Sequence, residues 1–286
     1  MRSTVFSKVQ KKKTAVSMAL FVILVGSLAG VYLANRMPDS PSPTSEPAAN
    51  VIKSNAPANQ LVGSQLQEAI SNARFKLPSV NSDVATITAR GISGNVAGLP
   101  VSTLEIAERM NSFEITALEP EMLKAMRSAT AGESVSSVET SVINSFVANE
   151  DTYLNEALSN TVLDMMLLSY GRATNSEVSY AQAQAQAEKN WAEYVKSGSP
   201  PLTLLHGQTA KDQFDSPTAV KALQDLLTIT NMRNKIGGPP YGPKGANNQR
   251  PGLVAWMTAN LNKYPITIHN SPVPISELPN YLPATM

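Results

Sequence analysis

The sequence predicts a mainly α-helical domain that is closed by a small β-sheet of N- and C-terminal strands and that follows a single transmembrane helix. One observation is an uncharged apolar run within residues 14–33. A second is helical periodicity with capping signals between residues 103 and 262. The third is a pair of short alternating segments, 85–89 and 265–269, at the two ends of the helical region.

The N-terminal region is predicted to anchor the chain in a membrane. Residues 1–13 form a basic head, and residues 14–33 have close to the roughly 20-residue length that spans a bilayer. Four lysines between residues 8 and 13 precede the run, whereas Arg36 follows it, and this asymmetry places the head in the cytoplasm. A cleaved signal peptide is the alternative, because residues 27–29 offer small side chains for cleavage.

The charge distribution and the absence of cysteine exclude several functional classes. Six of the 23 basic residues precede Asp39, so 17 basic residues stand against 22 acidic ones from Met37 onward. This part of the chain is about five charges negative and lacks a basic footprint for nucleic acid. Without cysteine there is no disulfide, thiol nucleophile or cysteine zinc site. With the basic head in the cytoplasm, we expect this part of the chain to lie outside it.

A linker is predicted to precede the folded domain. Residues 34–83 are rich in Pro, Ser and Ala, which favours an extended spacer, with a possible short helix at 59–75. The domain itself is predicted to occupy residues 84–270. Its first strand is placed at 85–89, where apolar and polar residues alternate.

The first helices are marked by capping signals. Ser102 and Glu105 match a capping box and start a helix over 103–111. A separate helix is predicted over 117–126, with Pro120 in its first turn. Another helix is expected over 138–148, after a connection rich in small residues.

The central element is predicted to be the helix over 153–170, which is apolar around most of its circumference. Gly171 is expected to end it, and Thr174 with Glu177 is expected to cap the next helix, which runs to Lys196. The inward register predicted for that helix has six members. They are Val178, Ala181, Ala185, Glu188, Ala192 and Val195.

The C-terminal part is predicted to contain two helices and a strand. Ser216 followed by Pro217 signals an N-cap and first turn, and this helix runs to about residue 235. A helix over 253–262 and a strand over 265–269 follow. The Pro-rich tail, 271–286, is expected to be loose.

Catalytic and metal-binding patterns are absent from the sequence. The only two histidines, His206 and His269, have no neighbour at metal-ligand spacing, and residues 237–244 lack the strand that leads into a phosphate loop. No enzyme activity and no cofactor are therefore expected. The side chains that could form a soft apolar surface for peptides are also candidates for plain core packing. These candidates are Met165, Met166, Trp191, Tyr194, Met232, Trp256 and Met257.

The order of these elements resembles the N-terminal chaperone domain of the SurA/PrsA family of extracytoplasmic folding factors. Residues 96–102, VAGLPVS, are similar to the Val-Asn-Gly turn and Pro-hydrophobic-Ser/Thr step of that family, with Ala97 in place of the usual Asn. The Leu/Met-rich helix over 154–170 and the restart at 174–178 are similar to the elements that follow. The strand at 266–268 corresponds in position to the one that closes the family's domain.

This resemblance covers roughly residues 84–269 and implies an ATP-independent domain that binds unfolded or newly exported polypeptides. It also implies a bacterial cytoplasmic membrane location, with the domain on the periplasmic or cell-wall side. It does not extend to the parvulin isomerase domain that often accompanies the family, since only a short tail follows His269. The alternative is an envelope adaptor or assembly protein that docks one dedicated partner. A secreted isomerase or hydrolase is a third hypothesis, but the sequence shows no combination of nucleophile and base that would support it. The sequence leaves the oligomeric state open.

Overall fold

A computed structural model describes residue 58 and residues 64–130, 132–197, 209–237 and 251–282. The described helices are α1 Ser64–Arg74, α2 Val80–Ala89, α3 Thr103–Ser128, α4 Val135–Ala148, α5 Glu150–Ala173, α6 Tyr180–Ser197, α7 Asp212–Asp215, α8 Pro217–Gly237 and α9 Pro251–Asn260. The strands are β1 Ser93–Val96, β2 Leu99–Pro100 and β3 Ile266–His269, and 3-10 turns occupy Leu261–Lys263 and Ile275–Tyr281.

The predicted fold class is confirmed as a mainly helical chain with a small antiparallel sheet. The expected transmembrane helix, 14–33, and most of the expected linker lie outside the described residues. None of the helices within the described ranges combines the length and the apolar character needed to cross a membrane.

The sheet pairs an early strand with the strand near residue 266, as predicted, although α1 and α2 precede β1. Its strand order is β2-β1-β3, and β1 pairs antiparallel with β3 so that Val96 lies opposite Ile266. The connection from β1 to β2 is a two-residue turn with Ala97 at φ 53° and Gly98 at φ 82°. Positive φ at both central residues is the signature of a type I′ hairpin turn, which matches the twist of the strands. Ala97 also donates its N–H to the Pro265 carbonyl at 2.8 Å.

The strand predicted at residues 85–89 is wrong, because these residues belong to α2. Ser79 caps this helix by accepting the Ser82 N–H at 3.2 Å, and Asp83 and Ile87 face inward at a spacing of four residues. A five-residue alternation is too short to compete with a capped helix that has a buried face. The domain boundary expected at residue 84 therefore falls inside a helix.

The two helices predicted over 103–111 and 117–126 form one continuous helix, α3. Ser102 caps it as predicted, by accepting the Glu105 N–H at 3.3 Å. A single stripe of buried side chains at four-residue spacing runs past Pro120, and this packing outweighs the local helix-breaking signals. The following helix, α4, begins at Val135 rather than at residue 138, with Ser134 as its cap.

Helix α5 is the central helix that the sequence predicts, with every residue over 157–168 buried. The prediction that Gly171 ends it is wrong, because α5 continues to Ala173 and Asn175 adopts the left-handed conformation instead, at φ 51°. A Cβ on Gly171 would lie 2.8 Å from Thr228 Cγ2 of α8. Glycine at this position thus permits close helix packing rather than helix termination.

The predicted start and register of α6 are also corrected. Its capping box is formed by Ser179 and Gln182, which exchange side chain to backbone hydrogen bonds at 3.3 and 3.0 Å, and not by Thr174 and Glu177. Its buried face is formed by Ala183, Ala187 and Asn190. The alternating Ala-Gln sequence carries no 3.6-residue signal, so the wrong face was predicted. The predicted inward residues Ala181, Ala185, Glu188, Ala192 and Val195 are all exposed.

In the C-terminal region the predicted helices and strand are confirmed, whereas the predicted loose tail is wrong. Ser216 caps α8 by accepting the Ala219 N–H at 3.3 Å, with Pro217 at the first helical position as expected. The tail, however, is packed up to Leu282: Leu278 is 0% exposed and Leu282 is 7% exposed. The Ser159 hydroxyl on α5 donates a 2.5 Å hydrogen bond to the Leu278 carbonyl. The prolines of the tail predict a loose segment, and a 3-10 turn leaves no periodic signal over so few residues to indicate packing.

The described residues divide into two compact units. One lies within Leu167–Lys235 and has a core of Ala183, Ala187, Val220 and Leu223. The other lies within Ser42–Met166 and Ile236–Met286 and contains the sheet. Its cluster of buried side chains from α1, α3 and α4 includes Ala69, Ala73, Leu118, Met122, Val138 and Phe146.

Candidate functional site

The four methionines predicted as peptide contacts are interior residues. Met165 is 7% exposed, Met166 and Met257 are 0% exposed, and Met232 is 3% exposed. Their placement corresponds to core packing, the alternative that the sequence left open. Contact with a peptide through these side chains stays a prediction, and it requires the surrounding packing to open.

Two of the predicted aromatic residues lie together on α6 and form one cluster with Phe214 of α7. The ring centroids of Trp191 and Tyr194 are 5.7 Å apart, and both rings lie within 5.6 Å of the Phe214 ring. We call these three side chains the aromatic cluster. Phe214 is buried at 4% exposure, whereas Trp191 and Tyr194 are half-buried and Val195 beside them is 60% exposed. The half-exposed rings of Trp191 and Tyr194 therefore form an apolar surface above the buried ring of Phe214.

Local structure explains why these three rings meet. Residues 191 and 194 are three positions apart on α6 and so share one face of the helix. Phe214 lies on the single turn of α7. Two reciprocal hydrogen bonds fix this turn: the Asp212 N–H donates to the Thr209 hydroxyl at 3.3 Å, and the Thr209 N–H donates to the Asp212 carboxylate at 2.7 Å. Hydrogen bonds from the Thr209 N–H and hydroxyl to the Asp212 carboxylate hold the pKa of that group below its ordinary value.

An ion network supports the unit that carries the aromatic cluster. Arg172 contacts Asp225 at 2.8 Å and Glu177 at 3.4 Å, and Lys221 contacts both carboxylates at 3.2 Å. These pairs connect the end of α5 and the segment 174–179 to α8. The four groups are about one-quarter to one-half exposed, so the network orients the helices but contributes little stability per pair.

Trp256, the remaining predicted aromatic contact, lies in the unit that contains the sheet. It is half-buried on α9, and its ring centroid is 6.4 Å from that of Tyr264. The two aromatic groups therefore belong to different units. The structure does not bring all seven predicted residues together within either unit.

A pair of buried carboxyl groups is a feature of the structure that the sequence patterns do not predict. Asp83 of α2 is 2% exposed and Glu114 of α3 is 0% exposed. Asp83 Oδ2 and both carboxyl oxygens of Glu114 have no hydrogen-bond partner among the described residues. We call these two side chains the carboxyl pair. A signal was present, because Glu114 occupies the stripe of Met110 and Leu118, at four-residue spacing from each.

Burial dominates the ionisation of the carboxyl pair. It raises the pKa of Asp83 from 3.8 to about 7, with added repulsion from Glu150. Burial likewise raises the pKa of Glu114 from 4.5 to about 8, with repulsion from Asp83 and Glu150. Near neutral pH in the folded protein, Glu114 is therefore mostly protonated and Asp83 is partly protonated.

A half-buried positive charge on α3, Arg109, is paired with acids rather than isolated. Arg109 contacts Asp164 of α5 at 2.7 Å and Glu105 at 2.9 Å. Next to it, burial and then repulsion from Glu105 raise the pKa of Glu108 to about 7, although Arg109 acts in the opposite direction. This ion pair joins α3 to α5 and is a structural contact.

The chemistry that these groups can perform is limited. In the parts of the chain that the structure describes, no three His, Asp or Glu side chains lie where they could hold a metal ion. His269 is exposed on β3, while His206 and most of the loop predicted at 237–244 lie outside the described residues. The aromatic cluster, which could contact apolar side chains of another molecule, is therefore the candidate binding surface.

Comparisons with protein-family models, with curated proteins and with solved structures give no match to this chain. The resemblance to the SurA/PrsA chaperone domain accordingly stays a prediction from the residues.

Proposed function

We propose that this chain is a membrane-anchored, extracytoplasmic protein that binds unfolded or newly exported polypeptides without nucleotide and without catalysis. The aromatic cluster of Trp191, Tyr194 and Phe214 carries this proposal. In this cluster the Phe214 ring is buried, the Trp191 and Tyr194 rings are half-exposed, and the neighbouring Val195 is exposed. Aromatic residues at such surfaces supply large contact areas at low entropic cost.

The turn between β1 and β2 is a second observation that supports this proposal. A Val-Asn-Gly turn is expected from the resemblance, and the structure places Ala97, which stands where Asn is usual, at φ 53°. Asn is one of the few residues that adopt this conformation readily, so the turn geometry is compatible with an Asn-Gly pattern at this position. The pairing of β1 with β3 likewise agrees with a domain closed by its last strand.

The energy of binding sets the expected affinity. Burying one large apolar side chain of a polypeptide contributes roughly 1.5–3 kcal/mol. Association costs at least about 4 kcal/mol in lost freedom of movement. Several client side chains must therefore be held together, and a micromolar dissociation constant, about −8 kcal/mol, is expected.

A light-scattering assay with a chemically denatured client tests this function. The full chain is placed in lipid nanodiscs, and aggregation is followed with and without ATP. We expect suppression that is independent of ATP. Val195→Asp, which adds a charge at an exposed position beside the aromatic cluster, should weaken client affinity by roughly tenfold, equivalent to about 1.4 kcal/mol. Trp191→Ala should weaken it similarly.

Tyr180→Ala is the matched control, because Tyr180 is a 43% exposed aromatic residue at the opposite end of α6. It should leave suppression unchanged. Absence of suppression at several-fold molar excess, together with tight binding to a single native envelope protein, would instead favour the adaptor hypothesis. Extraction of the chain from membranes by alkaline carbonate would contradict the anchor at residues 14–33.

A further inference from the structure

The carboxyl pair differs from the other buried acids of its unit in having no cation. Glu139 is 6% exposed and contacts Lys76 at 2.8 Å, and Asp164 is 5% exposed and contacts Arg109 at 2.7 Å. Asp83 is as buried as these groups, but no Lys or Arg lies within ion-pair distance of it among the described residues. The same holds for Glu114. Two adjacent buried acids without a counter-charge can remain in place only while they are protonated.

The groups that face the carboxyl pair from the neighbouring helix α5 make ionisation still less favourable. Glu150 repels both carboxyls, while Arg90 at the end of α2 lies 3.7 Å from Glu150 and 2.5 Å from Asp151. Arg90 therefore neutralises acids on α5 rather than the carboxyl pair. Burial, followed by nearby acids that include Glu114, raises the pKa of Tyr153 to about 12, so its hydroxyl carries no charge near neutral pH.

The position of α2 connects this pair to the sheet. Helix α2 packs along α3, and β1 begins at Ser93, a few residues after α2 ends. Gly91 and Ile92 are the connection, and their N–H groups donate to the Thr88 and Ile87 carbonyls of α2 at 2.9 and 3.3 Å. A displacement of α2 therefore acts directly on the strand that pairs with β3.

We propose that α2 is a proton-sensitive latch, which stays closed on α3 while Asp83 and Glu114 are protonated and which opens, loosening β1, when they ionise. The latch does not depend on what the chain binds. Its closed form takes up protons that the open form releases.

The direction of the pH effect follows from linkage. Below the open-state pKa values, 3.8 and 4.5, both forms are protonated and the closed form has its full stability. Between those values and about 7 to 8, the open form is ionised while the closed form is not, so closure weakens as the pH rises. Each proton released on opening increases the opening constant up to about tenfold per pH unit. We expect at least a roughly tenfold increase between pH 6 and pH 8.

Hydrogen exchange of the α2 amides in the full chain, held in detergent micelles, measures this opening. Exchange rates at pH 6 and pH 8 are divided by the intrinsic rates, which yields the opening constant at each pH. The double variant Asp83→Asn/Glu114→Gln, which mimics the protonated pair, should abolish the increase. Glu121→Gln, at a half-exposed position on α3, is the matched control and should retain it.

The wild-type measurement alone can overturn the proposal. An opening constant for α2 that is the same at pH 6 and pH 8 would show that the carboxyl pair does not control closure. An increase that persists in the double variant would assign the pH response to other groups, such as Glu108, and would likewise overturn the latch.

Discussion

Replacing Leu278 with alanine should test whether the C-terminal tail belongs to the folded unit. Leu278 lies within the 3-10 turn Ile275–Tyr281 and is 0% exposed. Its carbonyl accepts a 2.5 Å hydrogen bond from the Ser159 hydroxyl of α5, and α9 packs against the same turn. Leu278→Ala keeps the backbone and removes only the buried side chain.

The expected destabilisation follows from the burial of this side chain. Truncating a fully buried leucine costs about 2–5 kcal/mol, and the cost rises with the volume of the cavity that remains. Because the hydrogen bond to Ser159 restrains the backbone of the turn, we expect little collapse around the cavity and a loss of about 3 kcal/mol. For a domain of this size that loss corresponds to a fall of about 6–12 °C in Tm.

Thermal and urea unfolding of the wild type and the variant measure this loss. Val195→Ala is the control, because Val195 is 60% exposed and its truncation should change the free energy of unfolding by less than about 0.5 kcal/mol. Equal unfolding midpoints for Leu278→Ala and the wild type would show that the tail does not contribute to the packed unit. Ser159→Ala, which leaves the Leu278 carbonyl without its donor, should cost about 1–3 kcal/mol.

Two further predictions concern backbone conformation and close packing. Ala97→Asn should stabilise the chain by about 0.5–1 kcal/mol, because Ala97 has φ 53° and Asn tolerates this conformation better; a lower urea midpoint would contradict this account of the turn. Gly171→Ala should destabilise the unit that contains α8 by about 1–3 kcal/mol, since the added Cβ would lie 2.8 Å from Thr228 Cγ2. A gain in Tm, as expected for alanine in an unobstructed helix, would contradict the packing argument.

Two helix caps could be predicted from neighbouring residues alone. Ser102 and Ser216 cap α3 and α8 because a side-chain oxygen beside a free N–H needs no distant partner. The central position of α5 is predictable because its own apolar side chains lie around most of its circumference, and each of these faces must be covered by other elements. The pairing of an early strand with β3 is expected from the resemblance, and it is confirmed with β1 at Ser93–Val96, whereas residues 85–89 are helical.

The sequence patterns that were misread are those that fit two structures equally well. Thr174 with Glu177 and Ser179 with Gln182 both match a capping box, and only the contacts of segment 174–179 with α8 select the second. Gly171 suits a helix end and a close helix contact alike, and the approach of Thr228 decides between them.

The helical class and the caps at Ser102 and Ser216 follow from local chemistry and could be read from the residues alone. Which side chains of each helix are buried depends on the packing of the folded chain. Glu114 and Leu278 show why: one is a charged type and one follows a proline-rich stretch, yet both are fully buried because distant helices cover them. Burial is a property of the assembled chain, since it depends on residues that are remote in sequence, and the aromatic cluster and the carboxyl pair both arise from it.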